Sequence, residues 1–190
     1  KGLFAEAAIA YERSIALNHN FSWAYHYLGE TWQAIEKYAD AAIAYRQAIE
    51  LNPDFCWTYS SLGDVLMELE QWEESAITYR KAIELNPDFC WSYDRLGKAL
   101  IATKNWEEAA AAYRKASELN PDDCWLYNSL GEVLEELENW AEAAVAFGCA
   151  VEREPEDSWL YKKLGDALRK QGELESAIAI YEKGINLEPK

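Results

Sequence analysis

The sequence is poor in positive charge. Its 190 residues include 18 Lys and Arg against 34 Asp and Glu, which gives a formal net charge of −16. Proteins that bind nucleic acids neutralise phosphates with a basic surface, and proteins that bind anionic membrane surfaces rely on the same attraction. The composition therefore argues against both classes, and we expect no nucleic-acid or membrane partner.

Long apolar runs, metal-ligand clusters and catalytic motifs are also missing. The longest apolar run, residues 141–151, is interrupted by Glu142 and is too short to span a bilayer. Residues 1–20 carry charged residues at helical spacing, which is not the pattern of a signal peptide. The two His and four Cys form no CxxC pair or Cys/His cluster, and no phosphate-binding loop or nucleophile motif occurs. The sequence predicts no metal, no cofactor and no enzymatic activity.

Cysteine is sparse, and three of the four residues lie 34 residues apart, at Cys56, Cys90 and Cys124. Equivalent atoms of stacked helical repeats are separated by about 8–10 Å. A disulfide needs Cα atoms within about 7 Å. We therefore expect reduced thiols, which favour a reducing compartment and a cytoplasmic location.

The period of 34 residues runs through the whole chain. It relates five prolines, the last of them Pro189, five Leu-Gly pairs, and five tryptophans: Trp23, Trp57, Trp91, Trp125 and Trp159. Self-similarity at this period predicts a stacked-repeat architecture. With the proline numbered as position 32, the sequence predicts a single array over residues 1–190. Its expected parts are a half repeat and five repeats, at 1–21, 22–55, 56–89, 90–123, 124–157 and 158–190.

Each repeat is expected to form two helices. Positions 1–14 carry apolar residues at helical spacing, and positions 17–30 are rich in alanine. Asn105 with Glu108, and Asn139 with Glu142, have the spacing of a capping box at the start of the second helix. The Leu-Asn-Pro at positions 30–32 ends that helix, because proline cannot continue the hydrogen-bond ladder. Short connections force the two helices to run antiparallel.

These features resemble the tetratricopeptide repeat family. The resemblance rests on an aromatic residue at position 4, Leu-Gly at 7 and 8, an aromatic at 17, alanine at 20 and 27, an aromatic at 24 and proline at 32. Ser75, Gly184, Leu174 and His19 depart from this pattern. The resemblance implies an all-α, right-handed superhelical solenoid of antiparallel helix pairs, in which the first helices line a concave groove. It also implies protein or peptide binding rather than catalysis.

The five tryptophans share position 2, which a helical wheel places in the middle of the polar face of the first helix. One interpretation is structural: each indole staples neighbouring repeats, helped by Phe21, Phe55 and Phe89 at position 34. The other interpretation is a ladder of rings that faces the groove and binds a ligand. We favour the ladder, because a repeated contradiction of amphipathic design is expected at functional sites.

Positions 5 and 9 share that polar face. The candidate ligand-binding residues there, beside the five tryptophans, are His26, Ser60, Asp94 and Asn128 at position 5, and Asp64 and Lys98 at position 9. Some members of the family clamp a C-terminal carboxylate with basic and Asn side chains. Tryptophan at position 2 and mainly acidic residues at position 9 argue against that clamp in the first three repeats. Acidic walls with indoles suit a basic and apolar ligand.

The leading hypothesis is a non-catalytic scaffold that binds a protein or peptide in the groove. One alternative is the substrate- or glycan-recruiting region of a larger transferase. This chain looks like the Trp- and Tyr-rich arrays fused to glycosyl-, sulfo- or methyltransferase domains in bacteria. Another alternative is a structural, self-assembling repeat segment. End-to-end self-association is expected, because neither end of the predicted array carries a capping helix.

Overall fold

The computed structural model describes residues 2–187, with side chains from Phe4 to Leu187. These residues form eleven α-helices and no strand. The helices are α1 (Gly2–Leu17), α2 (Ser22–Ala34), α3 (Tyr38–Leu51), α4 (Cys56–Glu68), α5 (Trp72–Leu85), α6 (Cys90–Ala102), α7 (Trp106–Leu119), α8 (Cys124–Glu136), α9 (Trp140–Arg153), α10 (Ser158–Gln171) and α11 (Leu174–Leu187). Pro189 lies outside the described residues. The prediction of an all-α fold with two helices per 34 residues is confirmed.

The chain divides into two compact units, an amino-terminal unit that ends at Ala99 and a carboxy-terminal unit that begins at Leu100. In the amino-terminal unit α1 packs on α2, α2 on α3, α3 on α4 and α4 on α5. In the carboxy-terminal unit the same succession joins α7 to α8, α8 to α9, α9 to α10 and α10 to α11. That all the repeats form a single array stays a prediction.

The aromatic residue at position 24 is the centre of each helix pair. Tyr45, Tyr79, Tyr113 and Phe147 are fully buried. The Leu-Gly motif explains how they fit: the glycine at position 8 lies directly against the ring of the same repeat. A Cβ atom on Gly63 would stand 2.7 Å from Tyr79 Cζ, closer than real contacts allow. The glycine therefore serves close helix packing rather than backbone freedom.

The first helix of each pair ends in a turn that was not predicted from the sequence. The residue at position 15 adopts a left-handed conformation, with φ of 63° at Glu36, 57° at Glu70, 59° at Lys104, 54° at Glu138 and 100° at Gly172. The next residue donates a backbone hydrogen bond to the carbonyl five residues earlier, for example Asn139 N to Leu134 O at 2.9 Å. This is the Schellman arrangement, for which glycine is the preferred residue. Only Gly172 gives a sequence signal for it.

Of the two predicted capping residues, one caps its helix and the other does not. Asn139 Oδ1 accepts a bond from the Glu142 backbone N–H at 3.4 Å, and Asn139 Nδ2 donates to the Glu142 carboxylate at 3.0 Å. The Asn139 cap is therefore confirmed. The Asn105 cap is wrong: its amide donates to Thr103 Oγ1 at 2.9 Å, and its side chain makes no capping bond to α7. Thr103 provides a nearer acceptor, which Asn139 lacks because Leu137 occupies the equivalent position.

Candidate functional site: the tryptophan face of the first helices

All five position-2 tryptophans lie in the first turn of a first helix and remain partly exposed. Their exposed fractions are 41% for Trp23, 50% for Trp57, 43% for Trp91, 61% for Trp125 and 40% for Trp159. We call the surface that carries them, within each unit, the tryptophan face. A large exposed apolar patch commonly marks an interaction site.

Two rings in the amino-terminal unit also touch the phenylalanine that precedes the next first helix. The Trp23 and Phe55 ring centroids are 4.3 Å apart, and those of Trp57 and Phe89 are 4.4 Å apart. These contacts join consecutive repeats, as the structural interpretation requires. The same rings keep about half of their surface in solvent, as the ligand-binding interpretation requires. The two roles are compatible, since one side of an indole can pack while the other stays free.

An aromatic cluster extends the tryptophan face around Trp23. Tyr27 stacks on Trp23 and on Tyr11, with centroid distances of 5.8 Å in both pairs and interplanar angles of 25° and 21°. Tyr27 is itself 40% exposed. The sequence reasoning missed this residue, although its position 6 lies one helical turn after the tryptophan and so predicts a contact.

Position 6 supplies a cation to two of the other tryptophans. The Arg95 guanidinium lies 4.0 Å from the Trp91 ring centroid, and Lys163 Nζ lies 5.5 Å from that of Trp159. Each cation also meets an acid at position 9 of the preceding repeat. Arg95 Nε is 3.4 Å from Asp64 Oδ1, and Lys163 Nζ is 3.6 Å from Glu132 Oε1.

Asp64 and Lys163 have shifted pKa values. Burial raises the pKa of Asp64, although hydrogen bonding to Tyr79 and the charge of Arg95 oppose the shift. The Tyr79 hydroxyl donates to Asp64 Oδ1 at 2.6 Å. Burial alone would lower the pKa of Lys163, but its contacts with Glu135 and Glu132 outweigh burial and raise it. Lys163 Nζ donates to Glu135 Oε2 at 2.7 Å.

Position 5 is buried in three of the five repeats, contrary to expectation. His26, Ser60 and Asn128 are only 4%, 4% and 5% exposed, so the expectation that they face a ligand is wrong. A helical wheel treats one helix at a time, whereas the next first helix covers this position. Thr58 Oγ1 lies 3.1 Å from His26 Nδ1, and Ser92 Oγ lies 3.0 Å from Ser60 Oγ.

The remaining predicted residues are partly exposed, and they are paired. Lys98 Nζ donates to Asp94 Oδ2 at 2.6 Å, within one turn of α6. Asp64 is held by Tyr79 and Arg95 as described above. The amino-terminal tryptophan face is therefore a network of paired charges and rings, in which the acidic side chains have partners.

Outside the tryptophan face, the amino-terminal unit has a groove of about 550 Å³, lined by α3, α4 and α5. Ile49, Leu62 and Ile77 give it an apolar floor, and Arg46 with Glu74 forms an ion pair of 2.7 Å at its rim. Within residues 2–187, no group of His, Cys, Asp or Glu side chains could hold a metal ion. No helix among these residues is long and apolar enough to cross a membrane.

Comparison with known families identifies the repeats. Models of the tetratricopeptide repeat match residues 22–55 and 128–187, and a TPR repeat model matches residues 63–103 and 97–138. The chain belongs to the tetratricopeptide repeat family. No curated protein sequence matches it.

Solved structures with the tetratricopeptide repeat fold are similar to this chain over most of its length. The crystal structure of YrrB, described as a TPR protein with an unusual peptide-binding site, is 21% identical, with a TM-score of 0.83 over 96% of this chain and 94% of that one. A MamA crystal structure is 21% identical, with a TM-score of 0.81 over 88% and 91%. MamA from Desulfovibrio magneticus RS-1 is 17% identical, with a TM-score of 0.75 over 87% and 94%. At these identities the similarity establishes the fold alone.

Proposed function

We propose that this chain is a non-catalytic scaffold that binds a protein or peptide on its tryptophan face. The observation that carries the proposal is the regular series of five half-exposed indoles at position 2. Membership of the tetratricopeptide repeat family supports a role in protein interaction, and the similar YrrB structure is described as having a peptide-binding site.

The physical properties of the face favour a peptide that combines apolar and basic residues. Indoles offer large, rigid contact area at low entropic cost and attract cations over their faces. The chain carries an excess of negative charge, which steers a basic ligand towards it. Such anchors commonly dominate the binding energy of an interface. The proposed ligand-binding residues are the five position-2 tryptophans, with Asp64, Asp94 and Lys98 at their sides.

The test combines selection with mapping. The protein is screened against a peptide array and a glycan array, and the best binder is titrated into protein labelled with ¹⁵N at the indole nitrogens. The nine tryptophans give an internal comparison, because four of them lie elsewhere in the repeats: Trp32, Trp72, Trp106 and Trp140. We expect a peptide binder that shifts the position-2 indole signals and leaves those four in place.

Other outcomes contradict the proposal in distinct ways. Binders found only on the glycan array would favour the carbohydrate-recruiting alternative. A peptide that shifts only the four other indoles would place the binding site elsewhere on the chain. Sedimentation of the ligand-free protein at rising concentration examines the self-assembling alternative, since a purely structural segment would associate without binding any array member.

A further inference from the structure

The chain shows in two places how the tryptophan face holds a cation. Arg95 lies over Trp91 and meets Asp64, and Lys163 lies within 5.5 Å of the Trp159 ring centroid and meets Glu132. In both cases the cation comes from position 6, the ring from position 2 of the same repeat, and the acid from position 9 of the repeat before. The arrangement therefore recurs in both units.

The repeat that contains Trp57 has the ring and the acid but lacks the cation. Ser61 occupies position 6, and Glu30 occupies position 9 of the preceding repeat. Trp57 is half-exposed, and so is the Glu30 side chain. The indole face that Arg95 covers at Trp91 is thus not covered by any cation of this repeat.

Two kinds of observation indicate that Glu30, Trp57 and Ser61 stand in the same register as Asp64, Trp91 and Arg95. The first helices α2 and α4 are joined by position 5 to position 3, through His26 and Thr58, and α4 and α6 are joined by the equivalent pair Ser60 and Ser92. The position-24 hydroxyl also has the same neighbour in both cases. Glu30 and Ser61 are both close enough to influence the pKa of Tyr45, as Asp64 and Arg95 are for the pKa of Tyr79.

The neighbour of the Glu30 carboxylate on its own helix is a histidine. The His26 Nε2 atom lies 3.4 Å from Glu30 Oε1. Burial lowers the pKa of His26, although Glu30 opposes the shift, so the imidazole is uncharged at neutral pH. A neutral imidazole can donate one hydrogen bond to the carboxylate, but it does not neutralise it.

We propose that Trp57 and Glu30 form a binding site for the side-chain cation of an Arg or Lys residue in a peptide ligand. The guanidinium or ammonium group lies over the indole and pairs with the carboxylate, as Arg95 does within the chain. This inference rests on the proposed function and refines it: the peptide carries a basic residue at the point where it passes Trp57.

The experiment compares two peptides that differ in charge alone. One is acetyl-Ala-Leu-Arg-Leu-Ala-amide, and the other has citrulline, the neutral isostere of arginine, in place of arginine. Each is titrated into the indole-labelled protein at a fixed physiological ionic strength, and the shift of the Trp57 signal gives the dissociation constant. A charged group over an indole that also meets a carboxylate predicts a preference of about tenfold for the arginine peptide.

Four variants test which residues cause the preference for the arginine peptide. Ser61→Arg supplies an internal guanidinium and should abolish it, whereas the uncharged Ser61→Gln should retain most of it. Glu30→Gln should reduce it about fivefold, which is the loss of one half-exposed ion pair. Glu50→Gln on α3 is the matched control for removing a carboxylate elsewhere, and it should leave the preference unchanged.

Several outcomes overturn the inference. Equal affinity for the two peptides, no Trp57 shift at millimolar peptide, or an unchanged preference in Ser61→Arg would each do so. If array-selected peptides still shifted the NMR signals of the position-2 indoles in those cases, the proposed function would be supported. Only the cation site at Trp57 and Glu30 would then be wrong. Melting curves of Ser61→Arg and Ser61→Gln establish that both variants remain folded.

Discussion

Replacing Gly131 by alanine should destabilise the protein, although alanine is the better residue in most helices. Gly131 lies at position 8 of α8, and a Cβ atom there would stand 2.6 Å from Phe147 Cε1 and 2.7 Å from Cζ. Phe147 is fully buried and has no space to retreat. Overpacking of a close-packed core costs about 1–3 kcal/mol, and three contacts this short predict the upper end of that range.

The gain in helix propensity offsets part of this cost. Alanine is better than glycine in a helix interior by about 1 kcal/mol, so the expected net loss for Gly131→Ala is about 2 kcal/mol. Gly148→Ala is the matched control in the same unit, because nothing lies within 4 Å of a Cβ atom placed there. That variant carries the propensity gain alone and should be stabilised by about 1 kcal/mol. The difference between the two variants isolates the overpacking term, about 3 kcal/mol.

Urea unfolding followed by circular dichroism measures both variants against the wild type, with attention to the slope as well as the midpoint. If Gly131→Ala proved as stable as Gly148→Ala, the close approach of α8 to the Phe147 ring would be wrong. The reasoning about the Leu-Gly motif would then fall with it.

Two further predictions concern the turn between the helices and the buried imidazole. Glu138→Gly should raise the free energy of unfolding by about 1 kcal/mol, because a left-handed φ of 54° strains a residue with a side chain, while Gly172→Ala should lower it by a similar amount. Differential scanning calorimetry checks the pair, and opposite signs are required. Because burial lowers the pKa of His26, the unfolded chain binds the proton more readily. Stability should therefore fall as the pH drops below about 6.5, the unfolded value of histidine. His26→Gln should flatten that part of the curve in urea titrations from pH 7.5 to 5, and an equally steep fall in the variant would contradict the assignment.

The fold could be predicted from the sequence because the residues that determine it recur every 34 residues. Every full repeat has a proline, a Leu-Gly pair and an aromatic at position 24. The prediction of two helices per repeat is therefore supported five times by the same pattern. The ends of the second helices followed from the proline signal. The left-handed turn at position 15 was not predictable, because glutamate or lysine fills it in four of the five repeats and only Gly172 carries the usual signal.

Only part of the candidate site could be predicted from the sequence, for a physical reason. A helical wheel shows which residues share one face of a single helix. It does not show that each first helix also packs against the next first helix. His26 and Ser60 appeared polar and free on the wheel, yet they form hydrogen bonds between consecutive first helices. Tyr27 and Arg95 show the converse: their spacing of four residues predicts contact with an indole on the same helix. Their partners on other helices, Tyr11 and Asp64, depend on the three-dimensional register.

The central claim is that the position-2 indoles bind the ligand, and Trp125 gives the most direct measurement. It is the most exposed of the five at 61%, and Val145 on the second helix α9 is a comparably exposed apolar control in the same unit. The dissociation constant of an array-selected peptide is measured by calorimetry for the wild type, Trp125→Ala and Val145→Ala. The account predicts a loss of at least about tenfold in affinity for Trp125→Ala, as for an aromatic anchor, and no change for Val145→Ala. Unchanged affinity in Trp125→Ala together with a loss in Val145→Ala would contradict it.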